Sequence, residues 1–245
     1  MNDKHFVVDA FSEIASRYES VVDGELRKFW GWSYEGFIEN MVNHTSIGQN
    51  DLVLDIASGT AVIPLKLVDN GKASGKIVGL DITYSMLERG KQKISKRGIN
   101  DQISLVCGNA LAMPLQSETF DNIVCGLATH HLNVGVLLDE INRLLRPGGQ
   151  LTIADVGGAQ VWKMPIVNAM IRTATFLYFL PKEGYARARV EASALANVLT
   201  PTEWEDHLVS RRLQAIQVQE LPKSNAWAPA PLMIKALKGS NGGLQ

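Results

Sequence analysis

Apolar residues in the first 48 positions recur at helical spacing: Phe6, Ala10, Phe11, Ile14 and Tyr18, then Leu26, Phe29, Trp30, Phe37, Ile38, Met41 and Val42. They predict an N-terminal helical cap. From Asp51 the pattern changes to short β-rich runs at residues 52–57, 76–81, 103–107, 122–126 and 150–155, separated by helical stretches. Strands alternating with helices predict βαβ crossovers and a mostly parallel, doubly wound sheet with helices on both faces, an α/β fold. Among the helices, Val134, Leu137, Leu138, Ile141, Leu144 and Leu145 form an amphipathic stripe that Arg146-Pro147-Gly148-Gly149 stops. Ser85 and Glu88 have capping-box spacing at the start of another. Residues 160–198 read as a helical lid insertion. Thr200-Pro201-Thr202-Glu203 then predicts a helix start, with a capping Thr, Pro at the first helical position and Glu at the third. Residues 213–221 and 226–237 read as a closing pair of strands, and 239–245 as a frayed tail.

Composition narrows the function classes. The chain has 245 residues, 46% of them hydrophobic, with 24 Lys+Arg against 25 Asp+Glu and a formal net charge of −1. That is a globular composition and excludes global disorder. A nucleic-acid partner is not expected, because its affinity would rest on a basic surface. Charge is nonetheless uneven: residues 161–190 carry five basic residues and one acidic residue within an apolar, aromatic stretch. Peripheral membrane contact through this segment is one expectation. Cys107 and Cys125 each sit in an apolar run and read as buried core thiols. No His/Cys cluster at zinc-ligand spacing occurs, so no metal site is expected. The first ten residues carry Asp3, Lys4, His5 and Asp9 and lack an apolar signal-peptide core, which points to the cytoplasm.

The chemistry-bearing segment is Leu54-Asp55-Ile56-Ala57-Ser58-Gly59-Thr60-Ala61, a strand running into a tight loop of small residues. Such a loop lets a ligand approach the backbone and presents free N–H groups at the following helix start. The second strand ends in Asp81, 26 residues after Asp55. A carboxylate there is placed to accept both hydroxyls of a ribose. Dinucleotide binding needs G-x-G-x-x-G, and 57–62 read Ala-Ser-Gly-Thr-Ala-Val. A nucleoside without phosphates fits better, and S-adenosyl-L-methionine is the common one.

In order along the chain stand Phe11-Ser12-Glu13-Ile14-Ala15-Ser16-Arg17-Tyr18, the loop just described, Asp81-Ile82-Thr83-Tyr84-Ser85-Met86-Leu87, Gly108-Asn109-Ala110 and Leu144-Leu145-Arg146-Pro147-Gly148-Gly149. Together these resemble the class I S-adenosylmethionine-dependent methyltransferases, and among them the ubiquinone/menaquinone biosynthesis C-methyltransferase group. The resemblance implies a Rossmann-like, seven-stranded sheet whose last strand is antiparallel, with a cap at 1–48 and a cofactor-binding domain at 49–245. It implies methyl transfer to a small apolar or aromatic acceptor. It also implies Gly59 and Thr60 at the methionine end, with Ala57 and Ser58 beside them and Asp55 organising the loop. Asp81 would hold the ribose, Ile82 and Met86 would pack on the adenine, Asn109 would bond its amino group with Ala110 beside the ring, and Gly126 would lend backbone contacts.

Two departures stand out. Ala61 replaces the second loop glycine usual in the family, and Thr129-His130-His131 stands where the quinone methyltransferases carry an Arg-Asn pair. His130 and His131 follow the fourth strand and are the candidate catalytic base. Tyr18, Trp30, Trp162, Phe176 and Phe179, with Trp32, Tyr34 and Tyr178, are candidates for an apolar acceptor pocket. A non-methylating alternative is a cyclase of the same fold that binds the cofactor.

Overall fold

The computed structural model describes residues 3–72, 75–226 and 228–240. Three helices open the chain, α1 (Asp3–Ile14), α2 (Tyr18–Phe29) and α3 (Tyr34–His44). The alternating part follows: β1 (Val53–Ile56), α4 (Val62–Asp69), β2 (Ile77–Asp81), α5 (Tyr84–Arg97), β3 (Ile103–Cys107), β4 (Phe120–Gly126), α6 (Val134–Leu144) and β5 (Leu145–Val156). The chain then runs through α7 (Pro165–Ala194), α8 (Pro201–Ser210), β6 (Leu213–Glu220) and β7 (Pro231–Lys238).

The seven strands form one sheet in the order β3-β2-β1-β4-β5-β7-β6. The first five run parallel, and β7 is antiparallel to both neighbours. Every residue of β1 is buried, as expected of a strand covered on both faces. Alternation splits the core: Leu54, Ile56 and Ile123 pack with α6 and with Trp204 and Leu208 of α8. Val53 and Val124 pack on the other face with Phe37, Ile38 and Met41 of α3 and with Leu65 and Leu67 of α4. The cap therefore shares its core with the sheet. Strand order reverses direction between β1 and β4, which is where α/β folds bind ligands.

Several expectations need correction. The α6 stripe is buried as predicted, but Leu145 already belongs to β5, pairing with Phe120 ahead of a register shift. No capping box forms at Ser85: the N-cap of α5 is Thr83, two residues earlier, and Ser85 Oγ reaches Ser12 Oγ on α1 at 3.1 Å. The box at Thr200 and Glu203 is present. β7 begins at Pro231 rather than near 226, and the tail at 241–245 lies outside the described residues. Cys107 ends an outer strand and is exposed, whereas Cys125 is buried. The insertion is a single long helix with a break at Gly184 (φ 80°, ψ 178°), a conformation essentially confined to glycine.

Candidate active site

At the carboxyl ends of β1, β2 and β4 a cavity of about 330 Å³ opens. The loop after β1 forms part of its wall through a sharp turn. Ala57, Gly59 and Ala61 all take left-handed φ, at 57°, 53° and 61°. Only glycine adopts this without strain, so Ala61 shows why a glycine is usual there. Leu127, just past β4, is left-handed too (φ 53°) and lines the same cavity.

Asp81 ends β2 and faces this space. Its Oδ2 accepts the Gly59 N–H at 2.8 Å and its Oδ1 the Thr83 N–H at 2.7 Å. Burial raises its pKa, against the lowering effect of those bonds. Ile82, Met86, Ala110 and Gly126 supply an apolar lining, and Asn109, also in the lining, accepts the Leu111 N–H on Oδ1. Among the described residues no Lys or Arg lines the cavity. One carboxylate in an apolar setting, with no cationic cradle, fits a nucleoside bearing a sulfonium and does not fit phosphates.

Asp55, Ser58 and Thr60 stand outside that lining. Asp55 is fully buried, and burial pushes its carboxyl up to about 8, against the Ser58 hydroxyl and assisted by Asp81. Thr60 Oγ1 donates to Glu19 Oε1 of α2 at 2.6 Å, and Lys93 of α5 pairs with the same carboxylate. The loop is thus tied to the cap.

A second cavity, about 540 Å³, lies beside the first, between α2, the loop after β4 and α7. Phe11, Tyr18, Leu127 and His131 line both spaces and form their common wall. Trp30, Trp162, Tyr178 and Phe179 make the second cavity aromatic. Trp30 is anchored by its indole N–H to the Pro229 carbonyl at 2.8 Å. The remaining aromatic expectations fall elsewhere: Trp32 and Tyr34 belong to the cap, packing edge-on against Phe37 and Tyr18. Phe176 is off the inward stripe of Ile171, Ala174, Thr175, Tyr178 and Phe179, and packs on Tyr185 instead. Its helical phase, a residue away from that stripe, is the reason.

His130 and His131 sit in a short 3-10 turn (Thr129–His131) and differ in environment. His130 Nδ1 lies 2.6 Å from Asp155 Oδ1, at the end of β5. Asp155 is fully buried; its Oδ1 also accepts the Val156 N–H, and its Oδ2 accepts the Thr129 N–H and hydroxyl and the His130 N–H. This fixes the Nδ1–H tautomer and leaves Nε2 as the acceptor. Burial opposes the charged imidazole, but the Asp155 carboxylate outweighs it and raises the His130 pKa. Asp155 itself is lowered despite burial, chiefly by His130. His131 is pulled well below the usual imidazole value by burial, then by His130 and Arg187, and stays neutral.

Four further charged groups line the second cavity, Glu25, Lys28, Arg187 and Glu191. Burial, opposed by Arg187, pushes Glu25 up to about 7. His130, His131 and Glu191 bring one ligand atom each within 4.8 Å of one another, a grouping able to hold a metal. Arg187 Nη2 lies 2.8 Å from Glu191 Oε1, so a cation already accompanies that carboxylate. Sequence reasoning misses Asp155 and these four. For Asp155 a signal exists: an acid ending the strand beside the one that precedes a histidine.

The profile of the ubiE/COQ5 methyltransferase family matches residues 1–190. The chain belongs to that family. It is an S-adenosylmethionine-dependent methyltransferase. A demethylmenaquinone methyltransferase of Symbiobacterium thermophilum is 30% identical over 148 residues, covering 60% of this chain and 57% of that protein. The demethylmenaquinone methyltransferase of Anoxybacillus flavithermus is 26% identical over 223 residues, 89% of each chain. In fold, a SAM-dependent methyltransferase from Aquifex aeolicus superposes with TM-score 0.61 at 17% identity, over 91% of this chain and 98% of that one. The non-methylating alternative is not favoured by this membership.

Proposed function

We propose that this methyltransferase acts on a lipophilic aromatic acceptor of the quinone-precursor class, held in the aromatic cavity and deprotonated by His130. The observation that carries the reading is the common wall: a nucleoside-type cavity and an aromatic cavity meet at Phe11, Tyr18, Leu127 and His131. The relatives' names, demethylmenaquinone methyltransferases, supply the acceptor class.

When bound, S-adenosylmethionine supplies an electrophilic methyl group on a sulfonium. The chain's residues orient the two partners. Asp81 takes the ribose hydroxyls on its remaining lone pairs; Ile82, Met86 and Ala110 flank the adenine, and Asn109 meets its edge. Ala57, Gly59 and the Gly126 backbone shape the methionine end, while Ser58, Thr60 and Asp55, the last protonated at neutral pH, support the loop from behind. Phe11 and Tyr18 face the cationic end with aromatic rings. Holding acceptor and methyl in line supplies much of the acceleration. Where the acceptor must shed a proton, His130 Nε2 takes it and Asp155 stabilises the resulting imidazolium. Trp30, Trp162 and Phe179 hold the acceptor's apolar body.

Delivery of such an acceptor fits the outer face of α7. Ile166, Met170 and Leu177 are exposed (77%, 67% and 61%) along one side of that helix, with Val161 and Met164 just before it. Lys163, Arg172 and Lys182 are exposed along the same segment. Apolar positions among basic ones suit an anionic bilayer surface. Among the described residues no helix is long and apolar enough to cross a membrane. Both cysteines are free, in keeping with the reducing cytoplasm. The test is incubation with labelled cofactor and a panel of demethylated hydroquinones, read by mass spectrometry as addition of one CH2. No methylated hydroquinone with intact cofactor binding would overturn the acceptor class. Vesicle flotation that is unaffected by phosphatidylglycerol content, or by M170E/L177E, would overturn the membrane contact.

A further inference from the structure

Before its break, α7 lines the acceptor cavity with Ile171, Ala174, Thr175, Tyr178 and Phe179. The break at Gly184 redirects the last ten residues, and Arg187 and Glu191, one turn apart, line the cavity. Arg187 is 4% exposed. Its Nη2 is 2.8 Å from Glu191 and 3.6 Å from Glu25, while Nε and Nη1 are fully buried with no hydrogen-bond partner among the described residues. The guanidinium carbon lies 4.7 Å from the centre of the Phe11 ring, which is part of the wall common to both cavities. A buried guanidinium with unused donors carries a desolvation cost that its two carboxylate partners, both on Nη2, do not offset at Nε and Nη1. Its donors need oxygen lone pairs, and the rest of the lining offers the body of a ligand an aromatic surface.

We infer that Arg187 is a specificity residue that recognises the acceptor through an oxygen on its aromatic ring. The inference rests on the acceptor-cavity reading above and adds to it the group by which the acceptor is gripped. Glu25 and Glu191 pair with Nη2, so Nε and Nη1 are the unpaired donors, and a ligand oxygen reaches them by displacing the side chains packed over them. An aryl hydroxyl and an aryl carboxylate share this chemistry, and the fork of an arginine serves either. Because Arg187 stacks at the common wall, the gripped oxygen lies on the cofactor side of the ring, and the ring's orientation follows from it.

The test uses three probes of one shape, naphthalene, 2-naphthol and 2-naphthoate, titrated into the full-length protein saturated with S-adenosylhomocysteine. Quenching of Trp30 and Trp162, both in the lining, reports binding. Wild type should prefer at least one oxygenated probe over naphthalene by about tenfold, as a charged hydrogen bond warrants. Preference for naphthol or for naphthoate identifies which oxygen is used. In Arg187→Met the preference should fall below about twofold while the affinity for naphthalene stays near wild type; Arg187→Lys should keep part of it. Equal binding of all three probes by wild type overturns the proposal without any variant, so a misfolding substitution cannot shield it. An undiminished preference in Arg187→Met overturns it as well. Calorimetric binding of S-adenosylhomocysteine alone tests the methyltransferase reading separately, since Arg187 does not line the cofactor cavity.

Discussion

Replacing Asp155 by Asn tests the histidine dyad with a nearly isosteric change. Asp155 accepts from five donors: His130 Nδ1 and the Val156 N–H on one oxygen, and the Thr129 N–H, the Thr129 hydroxyl and the His130 N–H on the other. An asparagine has one acceptor oxygen, so one of these two groups must face an NH2. The lesser conflict turns the NH2 toward His130 and Val156. His130 then accepts at Nδ1 and carries its proton on Nε2, the tautomer that cannot act as a base. The Val156 N–H is left unpaired in a buried setting, and a charged pair is lost. Together these cost about 2–4 kcal/mol, which for a chain of this size lowers Tm by roughly 5–15 °C. Turnover should fall by about 10²–10⁴, the usual worth of a positioned base, with cofactor affinity unchanged. The pH profile adds a sign. Wild-type rate should fall as pH drops through the raised His130 pKa, above the ordinary 6.5, and the variant should lose that limb. Steady-state kinetics, calorimetry and thermal melts decide it. Wild-type kcat in a folded Asp155→Asn enzyme would refute the assignment of the base to His130.

Asp81→Ala should weaken cofactor binding by at least about tenfold with the fold intact, because it removes a buried carboxylate from the nucleoside cavity; calorimetry measures it, and unchanged affinity would sink the ribose contact. Phe179→Ala should raise the acceptor KM several-fold more than Phe176→Ala, since Phe176 packs outside the cavity; comparable effects would mean both act through folding. Trp204→Ala, at a fully buried side chain between α6 and the sheet, should cost about 3–5 kcal/mol in denaturant unfolding, and a loss under 1 kcal/mol would show that the site relaxes. The Asp155–His130 pair also links stability to pH. Through the raised His130 pKa its contribution is complete below pH 6.5 and fades as pH rises through the folded value. Through Asp155, whose pKa is lowered, it fades as pH falls through that value.

Period and punctuation made the parallel strands, α6 and the Thr200 cap legible, because each is fixed by local pattern: buried runs, a helical stripe, a Pro at the first turn. Boundaries were less so. β5 starts before the Pro147-Gly148 turn because pairing with Phe120, far off in sequence, extends it. Asp55, Asp81 and the small-residue loop could be read from the order strand, turn, strand. Asp155 becomes readable only once β5 is laid beside β4, and Arg187 is not readable, since its place depends on where α7 resumes after the break at Gly184. Phe176 was misplaced for the complementary reason: aromatic composition does not say which side of a helix faces a cavity, and its phase does.

The wall common to the two cavities has a thermodynamic reading. Phe11, Tyr18, Leu127 and His131 meet both ligands, so any adjustment one ligand imposes on these four side chains alters the surface the other finds. Reciprocity then requires equal factors: whatever filling the acceptor cavity does to cofactor affinity, filling the cofactor cavity does to acceptor affinity. Substitutions at these four positions therefore perturb an interaction energy between the ligands as well as each binding energy, and only a double-ligand cycle, with each affinity measured in the presence and absence of the other, can separate the two.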